Sequence, residues 1–235
     1  MNPHETWKVL PHGSLERVAD NLYTVVGKLP MPFGETPRRM TVVVLAGGRL
    51  AIYSAIALAE PEMQQLESLG RPTFLIVPSA IHRLDVRPWK DRYPALVVIA
   101  PEGARAPISE VVAIDTTAAD LGDPRVNLQT VAGTDRRELA MVVDTGGGKT
   151  LVVNDLIFNL PRMPGIAGLG LRLLGFGPGH PTMPKLVKRK LVKDEDAVRA
   201  QLRAWAGLDG LERILVAHGA PIEDPRSTLL ALAAA

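Results

Sequence analysis

The sequence contains no cysteine, which excludes disulfide bonds, thiolate nucleophiles and every metal site that depends on cysteine. Aromatic side chains make up 4% of the residues, and no apolar run approaches the roughly 20 residues that cross a bilayer as a helix. The 27 basic and 25 acidic side chains leave a net charge of +2, which gives no general electrostatic field for nucleic acid. We therefore expect no transmembrane segment and no nucleic-acid partner, and any metal must be bound by His, Asp or Glu.

The length and the apolar content indicate one globular domain. The chain has 235 residues, of which 46% are hydrophobic, and this is enough to bury a sizeable core within a single unit. Residues 1–8 have no apolar stretch behind a basic end, so they resemble neither a secretory signal nor a transit peptide. The sequence therefore predicts a single domain over residues 1–235 and a cytoplasmic location.

Apolar runs separated by turn signals predict a mixture of strands and helices. Gly47-Gly48 predicts a tight turn, and Asp194 opens the most regular helical pattern, which ends at Gly207. The predicted strands are 22–26, 40–45, 50–53, 73–77, 95–100, 110–114, 126–131, 139–143, 150–153 and 213–217. The predicted helices are 60–69, 194–206 and one from about 225, and residues 87–92 are predicted to form a short helix or a turn. Two successive series of strands, each followed by a helix and a further strand, suit an α/β fold of two sheets packed face to face between helices.

Residues 159–190 interrupt this pattern, and we interpret them as an inserted loop. The segment is rich in Gly, Pro and Leu without a regular period, which is typical of a lid, a dimer contact, a membrane-touching element or a segment buried against the domain. His180 would join a site if this loop folded over it, and an exposed apolar loop would favour a homodimer. A basic cluster lies at the end of this segment and just beyond it, and it suits phosphate, anionic lipid or an acidic protein, or is a solvated face. The cluster consists of Lys185, Lys188, Arg189, Lys190 and Lys193.

The candidate functional side chains follow predicted strands. His82 and His218 each come directly after a strand, and Asp155 comes after the strand 150–153. Two imidazoles and one carboxylate hold Zn, Fe(II) or Mn and leave coordination positions open for water, and Asp85 is a candidate fourth ligand. The alternative is that such an Asp caps a helix and that each His is a hydrogen-bonded structural residue.

Several sequence segments resemble an uncharacterised bacterial family within the metallo-β-lactamase superfamily. They occur in the family's order, and the similarity covers roughly residues 17–222. The segments are Arg49–Ala55, Val77–His82, Trp89 with Tyr93-Pro94, Thr150–Asp155 and Leu215–Gly219. The resemblance implies a four-layer αββα sandwich, in which two mixed sheets pack between helices and the site lies at one edge between the sheets.

The first ligand motif of the superfamily is incomplete in this chain. Active members of the superfamily hold two metal ions, and the first ligands come from a His-x-His-x-Asp-His loop. If His82 is placed at the second His of that loop, Ala80 takes the place of the first His, Leu84 that of the Asp and Asp85 that of the last His. The resemblance therefore implies that this loop supplies His82 and at best Asp85.

The later ligand positions are only partly kept. Asp155 matches the bridging Asp of the superfamily and His218 its final His, whereas the lone His expected near Gly133-Thr134 is missing. The strand-end Asp that many members have near Tyr53 is replaced by Ser54. Two zinc ions need about seven protein ligands in that arrangement, so the four residues available suffice for one metal.

Two functions of different classes remain open. The first is a metal-dependent hydrolase that acts on an unknown small molecule and uses one Zn, Fe or Mn ion. His82, Asp155 and His218 would be ligands, Asp85 a ligand or general base, and Asp85 and Asp155 the catalytic carboxylates. The second is a non-catalytic binding or scaffold protein that has lost the metal centre and uses no cofactor. The few aromatic residues and the Leu-rich loop favour an apolar or amphipathic small ligand.

Overall fold

The computed structural model describes residues 5–31, 34–117, 120–162, 165–173 and 175–235. Within these ranges, six strands form the first sheet in the order β1-β2-β3-β4-β5-β6. The strands β1 to β4 are antiparallel, and β4, β5 and β6 are parallel to one another, so the sheet is mixed. The strands are β1 (Glu16–Ala19), β2 (Leu22–Met31), β3 (Gly34–Leu45), β4 (Arg49–Tyr53), β5 (Arg71–Ile76) and β6 (Val97–Ile99).

The second sheet is also mixed and has, in the described part of the chain, four strands in the order β10-β9-β8-β7. The strand β9 is antiparallel to β8 and parallel to β10. Its strands are β7 (Val126–Thr130), β8 (Leu139–Asp144), β9 (Lys149–Asn159) and β10 (Leu211–Gly219). The helices are α1 (Glu60–Leu69), α2 (Val86–Arg92), α3 (Arg105–Ser109), α4 (Gly165–Leu173), α5 (Lys185–Leu191), α6 (Glu195–Ala206) and α7 (Pro225–Ala234).

Three apolar clusters hold these elements in four layers. The first cluster packs α1 and α2 against one face of the first sheet, and Met40 and Val42 of β3 belong to it. The second packs α6 and α7 against the second sheet. The third lies between the sheets and contains Val43 and Leu45, because alternate residues of a strand point to opposite faces. The predicted four-layer sandwich of two mixed sheets between helices is therefore confirmed.

Arg39 joins the two sheets at one edge. Its guanidinium donates to the carbonyl oxygen of Val216 at 3.1 Å and to that of Gly219 at 2.8 Å, both on β10, and to the hydroxyl of Thr24 on β2 at 3.1 Å. A buried guanidinium is tolerated when its donors are paired in this way. These bonds fix the end of β10 against the first sheet.

Local sequence signals account for several boundaries. Gly47 and Gly48 both have positive φ, 74° and 67°, in the three-residue turn that joins the paired residues Leu45 of β3 and Arg49 of β4, and this backbone conformation favours glycine. Asp194 accepts a hydrogen bond from the amide of Ala197 at 3.0 Å, so it caps the start of α6. The regular apolar positions of α6, such as Trp205, are buried against the second sheet.

Three sequence-based expectations need correction. Residues 110–114 are not a strand: the amides of Val111 and Val112 bond to the carbonyl of Ile108 in a turn that follows α3. The strand predicted to end at residue 153 continues to Asn159 as β9. The segment 159–190, expected to lack regular structure, contains α4 and α5. Among the described residues, none of the helices has the length and apolarity that crossing a bilayer requires.

Candidate metal centre

Three predicted site residues meet at one edge of the sandwich. Among the described residues, His82, Asp155 and His218 form the one group of three or more potential ligands whose donor atoms all lie within 4.8 Å of one another. The Nε2 atoms of the two histidines are 3.2 Å apart. The Oδ1 atom of Asp155 lies 3.1 Å from Nε2 of His82 and 3.4 Å from Nε2 of His218. Three donor atoms therefore converge on one point.

Each ligand candidate comes from a different part of the fold. His82 lies in the loop between β5 and α2, and His218 lies near the end of β10. Asp155 lies within β9, where the pairing with β10 is irregular: Val153 pairs with Val216, and the next pair is Phe158 with His218. Residues 154–157 thus form a bulge in β9, and bulges re-aim the side chains that they carry. The bulge directs Asp155 at the two histidines.

The main chain of the bulge is held by the buried carboxyl group of Glu138, the residue before β8. The amide of Leu156 donates to its Oε1 atom at 3.0 Å. Amides that leave a strand ladder need other acceptors, since an unpaired buried amide costs about 1–3 kcal/mol. Glu138 supplies that acceptor and so stabilises the conformation that presents Asp155.

The two carboxylate oxygens of Asp155 have different surroundings. Oδ2 accepts hydrogen bonds from the hydroxyl of Ser79 and from the side-chain amide of Asn154, each at 2.7 Å. Oδ1 faces His82 and His218. Because Oδ2 is already bonded, the carboxylate is fixed in an orientation that leaves Oδ1 to bind a cation.

The other ring nitrogen of each histidine is also engaged. Nδ1 of His218 lies 2.7 Å from the carbonyl oxygen of Pro37, a pure acceptor, so this nitrogen carries a proton and donates it. Nδ1 of His82 is 2.8 Å from the hydroxyl of Ser54. The ring of Phe158 stacks on that of His218 with centroids 4.6 Å apart. In the neutral His218, the Nε2 lone pair therefore points into the centre, as metal ligation requires.

Two neighbouring acids at the centre, Asp155 and Glu138, have pKa values that are shifted in opposite directions. Burial alone would raise the pKa of Asp155, but His82 and His218 outweigh it and lower the pKa well below the usual value, so this carboxylate is ionised. Burial, reinforced by the charge of Asp155, raises the pKa of Glu138 well above its usual value. Burial and the charge of Asp155 therefore both favour the neutral form of Glu138.

The donor set fits a single divalent transition metal. Zinc binds imidazole nitrogen and carboxylate oxygen at about 2.0–2.2 Å, which places the ligand atoms of a tetrahedral site about 3.3 Å from one another. The observed separations of 3.1, 3.2 and 3.4 Å match that spacing. An ion bound tetrahedrally by these three residues would keep one coordination position open.

The structure does not bring Asp85 and His180 into this group. The carboxylate of Asp85 contacts Nη1 of Arg38 at 2.5 Å, and both side chains are buried. His180 is exposed, and its ring lies beside Gly177 in the segment between α4 and α5. Neither residue is part of the converging set.

Comparison with solved structures shows the same architecture over nearly the whole chain. The metallo-β-lactamase DIM-1 aligns with a TM-score of 0.65 at 12% identity, covering 97% of this chain and 98% of that one. The chain has the metallo-β-lactamase fold. FIM-1 from Pseudomonas aeruginosa in its mono-zinc form aligns at 0.62 and 13% identity, covering 97% of this chain and 96% of that one. A metallo-β-lactamase from Pontibacter korlensis gives 0.62 and 11%, with coverages of 94% and 98%. No protein-family model and no curated protein sequence matches the chain.

The metallo-β-lactamase fold of this chain has no room for the lone histidine that the resemblance led us to seek near Gly133-Thr134. Gly133 has a φ of 75°, and a Cβ atom there would lie 2.3 Å from the carbonyl oxygen of Asp194. The hydroxyl of Thr134 is buried and donates to the carbonyl of Val131 at 2.7 Å. Ala80 and Leu84 have no side-chain donor atoms. These positions contribute no ligand to a second metal.

Sequence reasoning missed the residues that surround the three ligand candidates. Ser54 was noted only as the replacement of a strand-end Asp and Ser79 only as a member of a matching segment, and neither was given a role. Glu138 gave no signal at all, because an acidic residue before a strand is normally exposed. The apolar run Leu156–Phe158 did carry a signal, since it indicates that the strand continues beyond Asp155.

Proposed function

We propose that this chain is a hydrolase that acts on a small molecule with one divalent metal ion bound by His82, Asp155 and His218. The observation that carries the proposal is the convergence of Nε2, Oδ1 and Nε2 at the spacing of a metal site, while the remaining polar atoms of these side chains are bonded elsewhere. FIM-1 has been seen in a mono-zinc form, which supports a single ion in this fold.

The ion would supply Lewis acidity and would lower the pKa of a water molecule at the open position, which generates a nucleophile near neutral pH. The residues of the chain would bind the ion and orient its ligands. Asp155 offsets the positive charge, the carbonyl of Pro37 fixes the tautomer of His218, and Ser54 orients His82. Asp85 as a ligand or general base stays a prediction, because it would first have to leave Arg38.

The surroundings of the centre favour a substrate with an apolar part. The side chain of Ile81, next to His82, is 73% exposed, and Phe158 covers one face of His218. An ester, thioester or phosphoester with an apolar group would place its polar, cleavable bond at the ion and its apolar part on these side chains. We therefore propose an amphipathic small-molecule ester of one of these kinds as substrate.

The test is hydrolysis of a panel of such esters by protein stripped of metal and then supplied with Zn²⁺, Mn²⁺ or Fe²⁺. We expect turnover that needs added metal and that falls by at least about 100-fold in His82→Ala and in His218→Ala. His12→Ala is the matched control, because the ring of His12 contacts the amide of Ala59 and lies outside the cluster. It should keep full activity.

Metal-independent turnover, or turnover that survives both substitutions, would remove the proposal. A protein that binds no metal and is inactive on every ester would instead support the alternative of a binding or scaffold protein that has lost its metal centre.

A further inference from the structure

Residues 156–193 have a charge composition unlike that of the whole chain. Although the chain has nearly equal numbers of basic and acidic residues, 27 and 25, these 38 residues contain no Asp or Glu. They contain seven basic residues, and both α4 and α5 lie within them. The seven are Arg162, Arg172, Lys185, Lys188, Arg189, Lys190 and Lys193. We call residues 156–193 the acid-free segment.

The helix α5 presents most of this charge to solvent. None of its residues, all of which are described, is buried. At about 100° per residue, Lys185, Leu186, Arg189 and Lys190 share one face of the helix, and all four are exposed. Lys188 points elsewhere and pairs with Glu195 of α6 at 3.2 Å. The exposed face of α5 therefore combines three positive charges with one leucine.

Exposed apolar side chains accompany the charges. Leu186 on α5 is 43% exposed, and Leu169 on α4 is 58% exposed. The start of α5 meets the chain just beyond α4, because the amide of Lys185 bonds to the carbonyl of Gly175 at 3.4 Å. Solvent-exposed leucine beside lysine and arginine, with no acid in between, is the composition of helices that lie in the interface of an anionic bilayer.

We infer that the acid-free segment docks this protein onto membranes that contain anionic lipid. Lys185, Arg189 and Lys190 contact lipid phosphates, and Leu169 and Leu186 enter the boundary between headgroups and acyl chains. A nucleic acid would meet the same charges but offers no apolar layer to the exposed leucines, and binding to an acidic protein would not depend on anionic lipid. This docking does not depend on a bound metal.

The segment is also joined to the candidate metal centre. Phe176, between α4 and α5, contacts Phe158 with ring centroids 5.6 Å apart, and Phe158 stacks on His218. The main chain of Phe158 pairs with that of Thr182 through two hydrogen bonds of 2.9 Å. The part of the segment between α4 and α5 therefore contacts the ring that covers one ligand candidate.

The test is co-sedimentation of the full chain with vesicles of phosphatidylcholine, with or without phosphatidylglycerol. We expect binding only when phosphatidylglycerol is present, and weaker binding as the salt concentration rises. The variant Lys185→Gln/Arg189→Gln/Lys190→Gln should bind on the order of 100-fold more weakly. Its matched control, Arg71→Gln/Arg203→Gln/Arg226→Gln, removes the same charge from exposed positions on three other elements and should bind within about twofold of the wild type.

The apolar contribution is tested separately. Leu169→Gln and Leu186→Gln should each weaken vesicle binding by about fivefold or more, while Leu230→Gln, at a 47% exposed position on α7, should not. Circular dichroism confirms that each variant folds. Equal loss in the two triple variants would show attraction by net charge alone and overturn the proposal. It would equally fail if wild-type protein ignored anionic vesicles, or bound heparin or short duplex DNA at the same salt concentration but not vesicles.

Discussion

The carboxyl group of Glu138 accepts a hydrogen bond from the main-chain amide of Leu156 at 3.0 Å. Glu138 precedes β8 and Leu156 lies in the bulge of β9, so this bond joins two strands where their regular ladder is interrupted. The residue before Leu156 is Asp155, the carboxylate of the candidate metal centre. The geometry of the centre therefore depends on a buried acid that contacts neither histidine in the described structure.

Replacing Glu138 should weaken the centre without removing a ligand. Glu138→Leu leaves the amide of Leu156 in the bulge without an acceptor, so we expect a loss of about 2 kcal/mol in the free energy of unfolding and a 10- to 100-fold loss of zinc affinity, roughly as for other residues that orient ligands. Glu138→Gln keeps an acceptor oxygen for Leu156 and should lose less of both. Urea unfolding and competition with a zinc chelator measure the two effects, and unchanged affinity in Glu138→Leu would show that the bulge holds without Glu138.

Asp85 forms a buried ion pair with Arg38, so a variant of Asp85 can distinguish a structural role from metal ligation. Nε and Nη2 of Arg38 have no hydrogen-bond partner among the described residues, so Asp85 is the main compensation for its buried charge. Asp85→Asn should cost about 3 kcal/mol of stability, because it leaves that charge uncompensated. The same variant should keep its metal. A metal content that falls while the free energy of unfolding stays unchanged would instead make Asp85 a ligand.

A second carboxylate, far from the metal centre, gives the folded state a defined pH dependence. Asp123 accepts hydrogen bonds from the amide of Ala46 and from the guanidinium of Arg125, each at 2.7 Å. The hydrogen bond from Arg125 lowers the pKa of Asp123 most. Burial raises this pKa and the amide of Ala46 lowers it again, and the result lies well below the ordinary value of 3.8. A depressed pKa contributes stability that is complete above the unfolded value and is lost as the pH falls through the folded one.

We therefore expect Asp123→Asn to lower the free energy of unfolding by about 1–2 kcal/mol near neutral pH. The difference between variant and wild type should shrink as the pH falls below about 4, because the unfolded wild-type chain then binds a proton at Asp123 that the folded state, with its lower pKa, does not yet bind. Urea unfolding of both proteins across this range measures the difference. If the loss of unfolding free energy in Asp123→Asn were the same at every pH, the ionised form of Asp123 would not be what stabilises its contacts with Ala46 and Arg125.

Much of the fold could be predicted because its signals are local. Gly47-Gly48 marks a hairpin turn, and Asp194 caps a helix with regular apolar spacing; both signals act within a few residues. The failure at 110–114 has an equally local cause. Val112 reaches the first core cluster from a turn that follows α3, so its apolar side chain indicates burial but not strand pairing.

The centre could be predicted only in part. His82, Asp155 and His218 follow apolar runs, and the topology of the two sheets brings them together. Their partners come from distant positions without a sequence pattern: Ser54 is 28 residues from His82, and Pro37 is 181 from His218. The bulge at 154–157 exists only through pairing with β10 and the contact with Glu138, so no spacing within β9 reveals it.

The most direct test of the metal centre is native mass spectrometry of metal-stripped protein titrated with Zn²⁺. The account predicts one tightly bound ion per chain in the wild type and in His12→Ala, and none in His82→Ala/His218→Ala. A wild type that takes up no ion, a double variant that keeps one, or a wild type that binds two with similar affinity would contradict a single ion held by His82, Asp155 and His218.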